Sequence, residues 1–267
     1  MKKFKIILSD YDGTLASTDH RISKENLDSI NSFIERGGIF VVCTGRATDS
    51  ALKFLKEQGF NGLVASFNGA VLTDMKTNKT LYSYGIDNDI SIRFFTYLKE
   101  NDIYGHFYLD EGYLYPFEYK YLSIYEKATG INGTYSSDIV EYIKTHNVKT
   151  PKFLIFEDGE KIDKHFDNIK KLLPECNVLR STENMVDINL IGVDKGGACE
   201  KIAKLFGVTL DDLIAVGDAG NDIPMLKAAG FPIAVENALD EVKKVCKAIA
   251  PKNDEFAIKY IIEKYCI

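Results

Sequence analysis

Apolar and polar positions along this chain alternate between two textures. In the first, a strand-length apolar run ends abruptly in small polar or charged residues. Residues 4–8 run into Ser9-Asp10-Tyr11-Asp12, IFVVC (39–43) into Thr44-Gly45-Arg46, and the run before Asp218 into Asp218-Ala219-Gly220. LVASFNGAV (63–71) is a further such run. Between the first two, Ser23 is placed to cap a helix whose apolar face carries Leu27, Ile30 and Ile34, with Gly37-Gly38 as its stop. After Arg46, Leu52 and Leu55 repeat the helical spacing. Strands that are apolar along their whole length, separated by amphipathic helices, predict a parallel sheet covered on both faces.

The second texture begins after about Tyr84. A helical stretch through Ile92, Phe95 and Leu98 leads into a tyrosine-rich region with Asp110-Glu111-Gly112 as a hairpin turn. Strands at 152–159 and 177–182 then bracket a helix-like segment, DKHFDNIKKLL. This middle third predicts an α+β insert. The first texture is expected to return with the strand VDINLI at 186–191, followed by a helix from Lys195. The expected organisation is a discontinuous core, 1–83 and 184–267, interrupted by an insert at 84–183.

Composition narrows the function classes. With 39 acidic residues against 33 lysines and arginines, the chain lacks the basic excess of an electrostatic nucleic-acid binder. The five scattered cysteines contain no Cys-x-x-Cys pair, which argues against a disulfide framework or a zinc site and for a reducing cytoplasm. The N-terminal apolar segment meets Asp10 too soon for a signal peptide or a membrane span. The oligomeric state is left open.

In an open parallel sheet, ligands bind outside the carboxyl ends of the strands. Asp10 with Asp12, Thr44-Gly45-Arg46, and Asp218 with Asn221 and Asp222 all fall at such ends, and Lys195 starts a helix able to reach the same crevice. In strand geometry Asp10 and Asp12 would emerge on one face and need a counter-charge. Several carboxylates suit a hard cation such as Mg²⁺, which shares its site readily with phosphate oxygens. A phosphoryl group there would take hydrogen bonds from Thr44 and charge from Lys195. Asp10 could then attack phosphorus, with Asp12 as acid and then base.

DYDGT, TGR, the lysine of GVDKGGA and GDAGND, in that order, resemble the four signature motifs of the haloacid dehalogenase superfamily of phosphohydrolases. The large insert between the second and third motifs resembles the Cof-type capped subfamily. The resemblance implies an α/β fold with a Rossmann-like parallel sheet core and an inserted α+β cap. It implies Asp10 as aspartyl nucleophile and Asp12 as acid/base. Mg²⁺ would be held by Asp10, the Asp12 carbonyl and Asp218, with Asp222 in support, and phosphate by Thr44, Gly45, Lys195 and Asn221. The implied activity is hydrolysis of small phosphorylated metabolites, the cap choosing the leaving group. GDAG stands where many relatives carry a serine, and DINLIGVDKG lacks a common Glu and Pro; neither departure touches a charged catalytic group. A phosphotransferase or phosphomutase on the same scaffold, and a non-catalytic sugar-phosphate sensor, are the rival readings.

Arg46 has two roles open to it, binding substrate or pairing with a carboxylate. Cys43 lacks the Cys-x5-Arg loop of a thiol nucleophile and reads as a small buried hydrophobe. His20 and His106 read as surface or cap histidines. The insert's tyrosines read as the core of a small sheet or as a stacking platform.

Overall fold

The computed structural model describes residues 3–266. In chain order the first elements are β1 (Ile6–Asp10), α1 (Lys24–Glu35), β2 (Ile39–Cys43), α2 (Thr48–Glu57), β3 (Leu63–Ser66), β4 (Val71–Asp74) and β5 (Lys79–Ser83). Then come α3 (Asn88–Glu100), β6 (Gly105–Tyr108), β7 (Tyr113–Tyr115), α4 (Leu122–Thr129), β8 (Gly133–Tyr135), α5 (Ile139–His146), β9 (Phe153–Phe156), α6 (Gly159–Leu172), β10 (Cys176–Thr182) and β11 (Met185–Leu190). The last are α7 (Lys195–Phe206), β12 (Leu213–Gly217), α8 (Ile223–Ala228), β13 (Phe231–Val235), α9 (Asp240–Lys243), β14 (Ala248–Ala250) and α10 (Ala257–Tyr265). No described helix is long and apolar enough to cross a membrane.

The chain divides into two compact units. One comprises the chain up to Ala47, Ala51–Tyr82 and Gly192 onward; the other comprises Thr48–Ser50 and Ser83–Ile191. The first unit is built on an eight-stranded sheet in the order β14-β13-β12-β1-β2-β3-β4-β5. From β14 to β3 neighbouring strands run parallel; β4 turns back antiparallel on β3. β1 and β12 are buried at every residue, so side chains pointing to either face are covered, as their unbroken apolar runs require. Ile30 and Phe33 of α1 share the core with Ile258, Ile261 and Ile262 of α10, and Ala198 and Ile202 of α7 share it with Met225 and Leu226 of α8.

The second unit is a six-stranded sheet in the order β10-β11-β9-β6-β7-β8, antiparallel except for the β7–β8 pair. Phe107, Leu114, Phe153, Ile155, Val186 and Ile188 supply one face of the sheet to a core completed by Phe94, Phe95, Ile143, Ile162 and Ile169 from α3, α5 and α6. On the alternate positions His106 stacks on Tyr113 with ring centroids 3.9 Å apart, and Tyr104 and Tyr125 pack edge-on to it. The turn read at Asp110-Glu111-Gly112 joins β6 to β7, with Leu109 N–H donating to Gly112 C=O at 3.1 Å.

The core resumes later than the sequence suggests. Residues 186–190, expected as a core strand, lie in β11, which pairs with β9 and β10 in the second sheet. The cause is the tight β10–β11 hairpin. Once β10 joins the second sheet, its antiparallel partner is carried along, and the first unit resumes at Gly192 rather than 184.

Candidate active site

The register of the first sheet brings distant motifs together. Asp10 ends β1 beside Cys43, the last residue of β2, and Ser9 lies beside Val216 near the end of β12. Three neighbouring strands therefore release their loops at one edge. Lys195 opens α7, whose start is fixed by Asp194: its side chain accepts a hydrogen bond from Gly197 N–H at 2.8 Å.

Lys195 is 1% exposed and Asp222 is fully buried. The Lys195 ammonium donates to Asp10 Oδ1 and, at 2.6 Å, to Asp222 Oδ1. Asp222 Oδ2 accepts from the backbone N–H groups of Asp218 and Ala219 at 3.0 and 3.1 Å, which pins the loop after β12. Thr14 Oγ1 donates to Asp218 Oδ1 at 2.7 Å across 204 residues of sequence. Oxygens of Asp10, Asp218 and Asp222 lie within 4.8 Å of one another.

One lysine among three carboxylates leaves an excess of negative charge. Burial pushes the Asp10 carboxyl up to about 7; Lys195 opposes this while Asp222 and Asp218 add to it. Burial raises Asp218 as well, with Thr14 pulling the other way. Lys195 is held above the ordinary lysine range: burial acts to lower it, but Asp10 and Asp222 prevail. This donor set fits a hard divalent cation. It offers oxygen ligands only, and its three carboxylates share a single lysine. Gly13 adds to the fit. Its φ of +79° opens the turn, and a Cβ there would come within 2.5 Å of Asp218 Oδ2.

Asp12 departs from the strand expectation. Alternation would carry it to the same face as Asp10, but β1 ends at Asp10 and residues 11–15 form one wide turn closed by Ala16 N–H to Tyr11 C=O at 2.9 Å. The carboxylate of Asp12 is half-exposed and accepts from Arg46 Nη2 at 3.0 and 3.3 Å. Each acid thus has its own cation, Lys195 for Asp10 and Arg46 for Asp12.

Thr44 is buried at the end of β2, where its hydroxyl accepts from Arg46 N–H at 3.2 Å; Gly45 is exposed beside it. The Phe67-Asn68-Gly69 turn packs back on this loop, with Phe67 N–H donating to Arg46 C=O and Asn68 N–H to Thr44 C=O. Asn221 is exposed on the turn after β12. Cys43 is buried, and burial pushes its thiol up to about 12, out of nucleophilic use. His106 is wholly buried, whereas His20 is exposed 3.7 Å from Asp12.

Thr14 and Gly13 carry roles that were not assigned from sequence, although both sit in DYDGT. The signal was their adjacency to Asp12. Asn237, whose amide donates to Gly13 C=O at 2.8 Å, had no sequence signal.

A family model for haloacid dehalogenase-like hydrolases matches residues 7–262. The 5-amino-6-(5-phospho-D-ribitylamino)uracil phosphatase YwtE of Bacillus subtilis (strain 168) is 29% identical, with 97% of each chain covered. The crystal structure of a haloacid dehalogenase-like hydrolase from Bacteroides thetaiotaomicron superposes with a TM-score of 0.85 at 25% identity, covering 98% of this chain and 99% of the other. That of a Thermotoga maritima protein gives 0.88 at 20% identity, covering 99% and 98%. The matched span contains every motif around the Lys195 cluster, and the chain belongs to the haloacid dehalogenase-like hydrolase family.

Proposed function

We propose that this protein is a Mg²⁺-dependent phosphatase that hydrolyses phosphomonoesters of small metabolites, sugar or cofactor phosphates, through an aspartyl phosphate on Asp10. The observation that carries the reading is the buried Lys195–Asp10–Asp222 ion cluster beside Asp218. It sets a carboxylate that could serve as nucleophile, a cation that could bind phosphate and a group of carboxylate oxygens at one strand edge.

Asp10, the Asp12 carbonyl and Asp218 would hold the Mg²⁺, with Asp222 supporting them; the ion would supply charge neutralisation for the phosphoryl oxygens. Lys195, Thr44, Gly45 and Asn221 would bind the phosphoryl group. The Asp10 carboxylate attacks phosphorus, and the bond from phosphorus to the alcohol oxygen breaks with its electron pair going to that oxygen, which takes a proton from Asp12. Asp12 then removes a proton from water, the water oxygen attacks phosphorus, and the Asp10–phosphorus bond breaks to restore the carboxylate. The balance is ester plus water to alcohol plus inorganic phosphate.

The second unit, Thr48–Ser50 with Ser83–Ile191, would select the leaving group. The Bacillus relative is named for a ribitylamino phosphate, so polyol and sugar phosphates lead the substrate panel. Five free thiols accord with a reducing cytoplasm. The test is a phosphate-release screen over sugar, polyol, pyridoxal, flavin and nucleotide phosphates, with Mg²⁺ and with chelator. Release should require Mg²⁺ and fall about a thousandfold or more in Asp10→Asn. Undiminished release by that variant would defeat the reading.

A further inference from the structure

The Arg46 guanidinium is built into a cradle. Its carbon lies 4.8 Å from the Phe54 ring centroid and 5.6 Å from that of Tyr11, and the two rings meet edge to face at 5.4 Å. The Tyr11 hydroxyl is fixed from both sides, accepting from Gln58 Nε2 at 2.8 Å and donating to His20 C=O at 2.9 Å. The Arg46 backbone is tied at both ends, its N–H to Thr44 Oγ1 and its C=O by Phe67 N–H. Against this fixed frame, one guanidinium nitrogen reaches both oxygens of Asp12, at 3.0 and 3.3 Å.

An exposed ion pair of this kind adds little to stability, and Asp12 is half-exposed. The aromatic cradle, the tied backbone and the single carboxylate target make sense as a device that holds orientation. Asp12 needs one. It lies in a turn containing a glycine at positive φ, beyond the end of β1, so no strand geometry aims its side chain. From this arrangement we infer that Arg46 is a positioning residue for Asp12, with Phe54 and Tyr11 as its supports, and that it acts on leaving-group protonation rather than on the phosphoryl group. This rests on the phosphatase reading above.

The two roles separate by leaving group. Expulsion of dinitrophenolate needs no proton in the transition state, whereas phenolate and alkoxides need one increasingly. The experiment compares kcat/KM, which reports the steps through leaving-group departure, for dinitrophenyl, nitrophenyl and phenyl phosphates with Mg²⁺, in wild type, Arg46→Gln, Arg46→Lys and Phe54→Leu. Arg46→Gln should lose less than about threefold on the dinitrophenyl ester and about a hundredfold on the phenyl ester. Arg46→Lys should recover part of the phenyl loss. Phe54→Leu, which removes a ring and no charge, should show the same grading at smaller size. An equal loss on all three esters, or a loss confined to KM, overturns the positioning role by putting Arg46 on the phosphate. A wild-type protein that releases phosphate from no ester overturns the phosphatase reading itself, and the positioning role with it.

Discussion

At Lys195, the cost of burying an ammonium is offset only because two carboxylates meet it. Removing one partner of such a buried group typically costs about 3–5 kcal/mol, because the remaining charges are left without water or a counter-ion. The cluster is therefore a structural commitment as well as a chemical one. His106 shows the opposite solution, a titratable group buried as its neutral form. Burial, reinforced by Lys152, lowers it to about 3 from an ordinary 6.5. Below about pH 6.5 the unfolded chain takes up a proton that the folded chain refuses. Stability from this group is thus complete above pH 6.5 and drains away as the pH falls toward 3, by about 1.4 kcal/mol per pH unit. His106→Phe should flatten the acid limb of a urea-denaturation profile followed by tyrosine fluorescence between those limits. An acid limb as steep as wild type would contradict the assignment.

Elements explain what the sequence made legible and what it did not. The unbroken apolar runs of β1 and β12 read directly as strands buried on both faces, and their polar ends pointed to the site. β11 was harder. Its alternation, Val186 and Ile188 inward with Asp187 and Asn189 between them, is the mark of a half-buried antiparallel strand. The strand premise for Asp12 does not hold, since period-two alternation lasts only while the strand continues, and β1 ends at Asp10, where the wide turn at 11–15 begins. The pairings of Arg46 with Asp12 and of Thr14 with Asp218 depend on side-chain reach between loops, which residue order does not encode. The start of α7 is testable at this scale. Asp194 caps the helix one residue before Lys195, so Asp194→Ala should cost about 1 kcal/mol in chemical denaturation and reduce turnover by loosening the lysine. Unchanged stability and turnover would show that α7 is held by packing alone.

For the molecule as a whole, the strand order β12-β1-β2 joins the two ends of a chain interrupted by a second folding unit. Asp10 and its partners Lys195, Asp218 and Asp222 are about two hundred residues apart in sequence and meet only through that pairing. The carboxylates, the lysine and the hydroxyl of Thr14 come together as one group only when the sheet is complete. The measurement that bears most directly on this account is acid quenching of the wild-type protein during turnover of a phosphomonoester with Mg²⁺, followed by peptide mass analysis. The peptide carrying Asp10 should be heavier by one phosphoryl group, and the same peptide from Asp10→Asn should not. Steady phosphate release with no such adduct at Asp10, or an adduct on another residue, would contradict it.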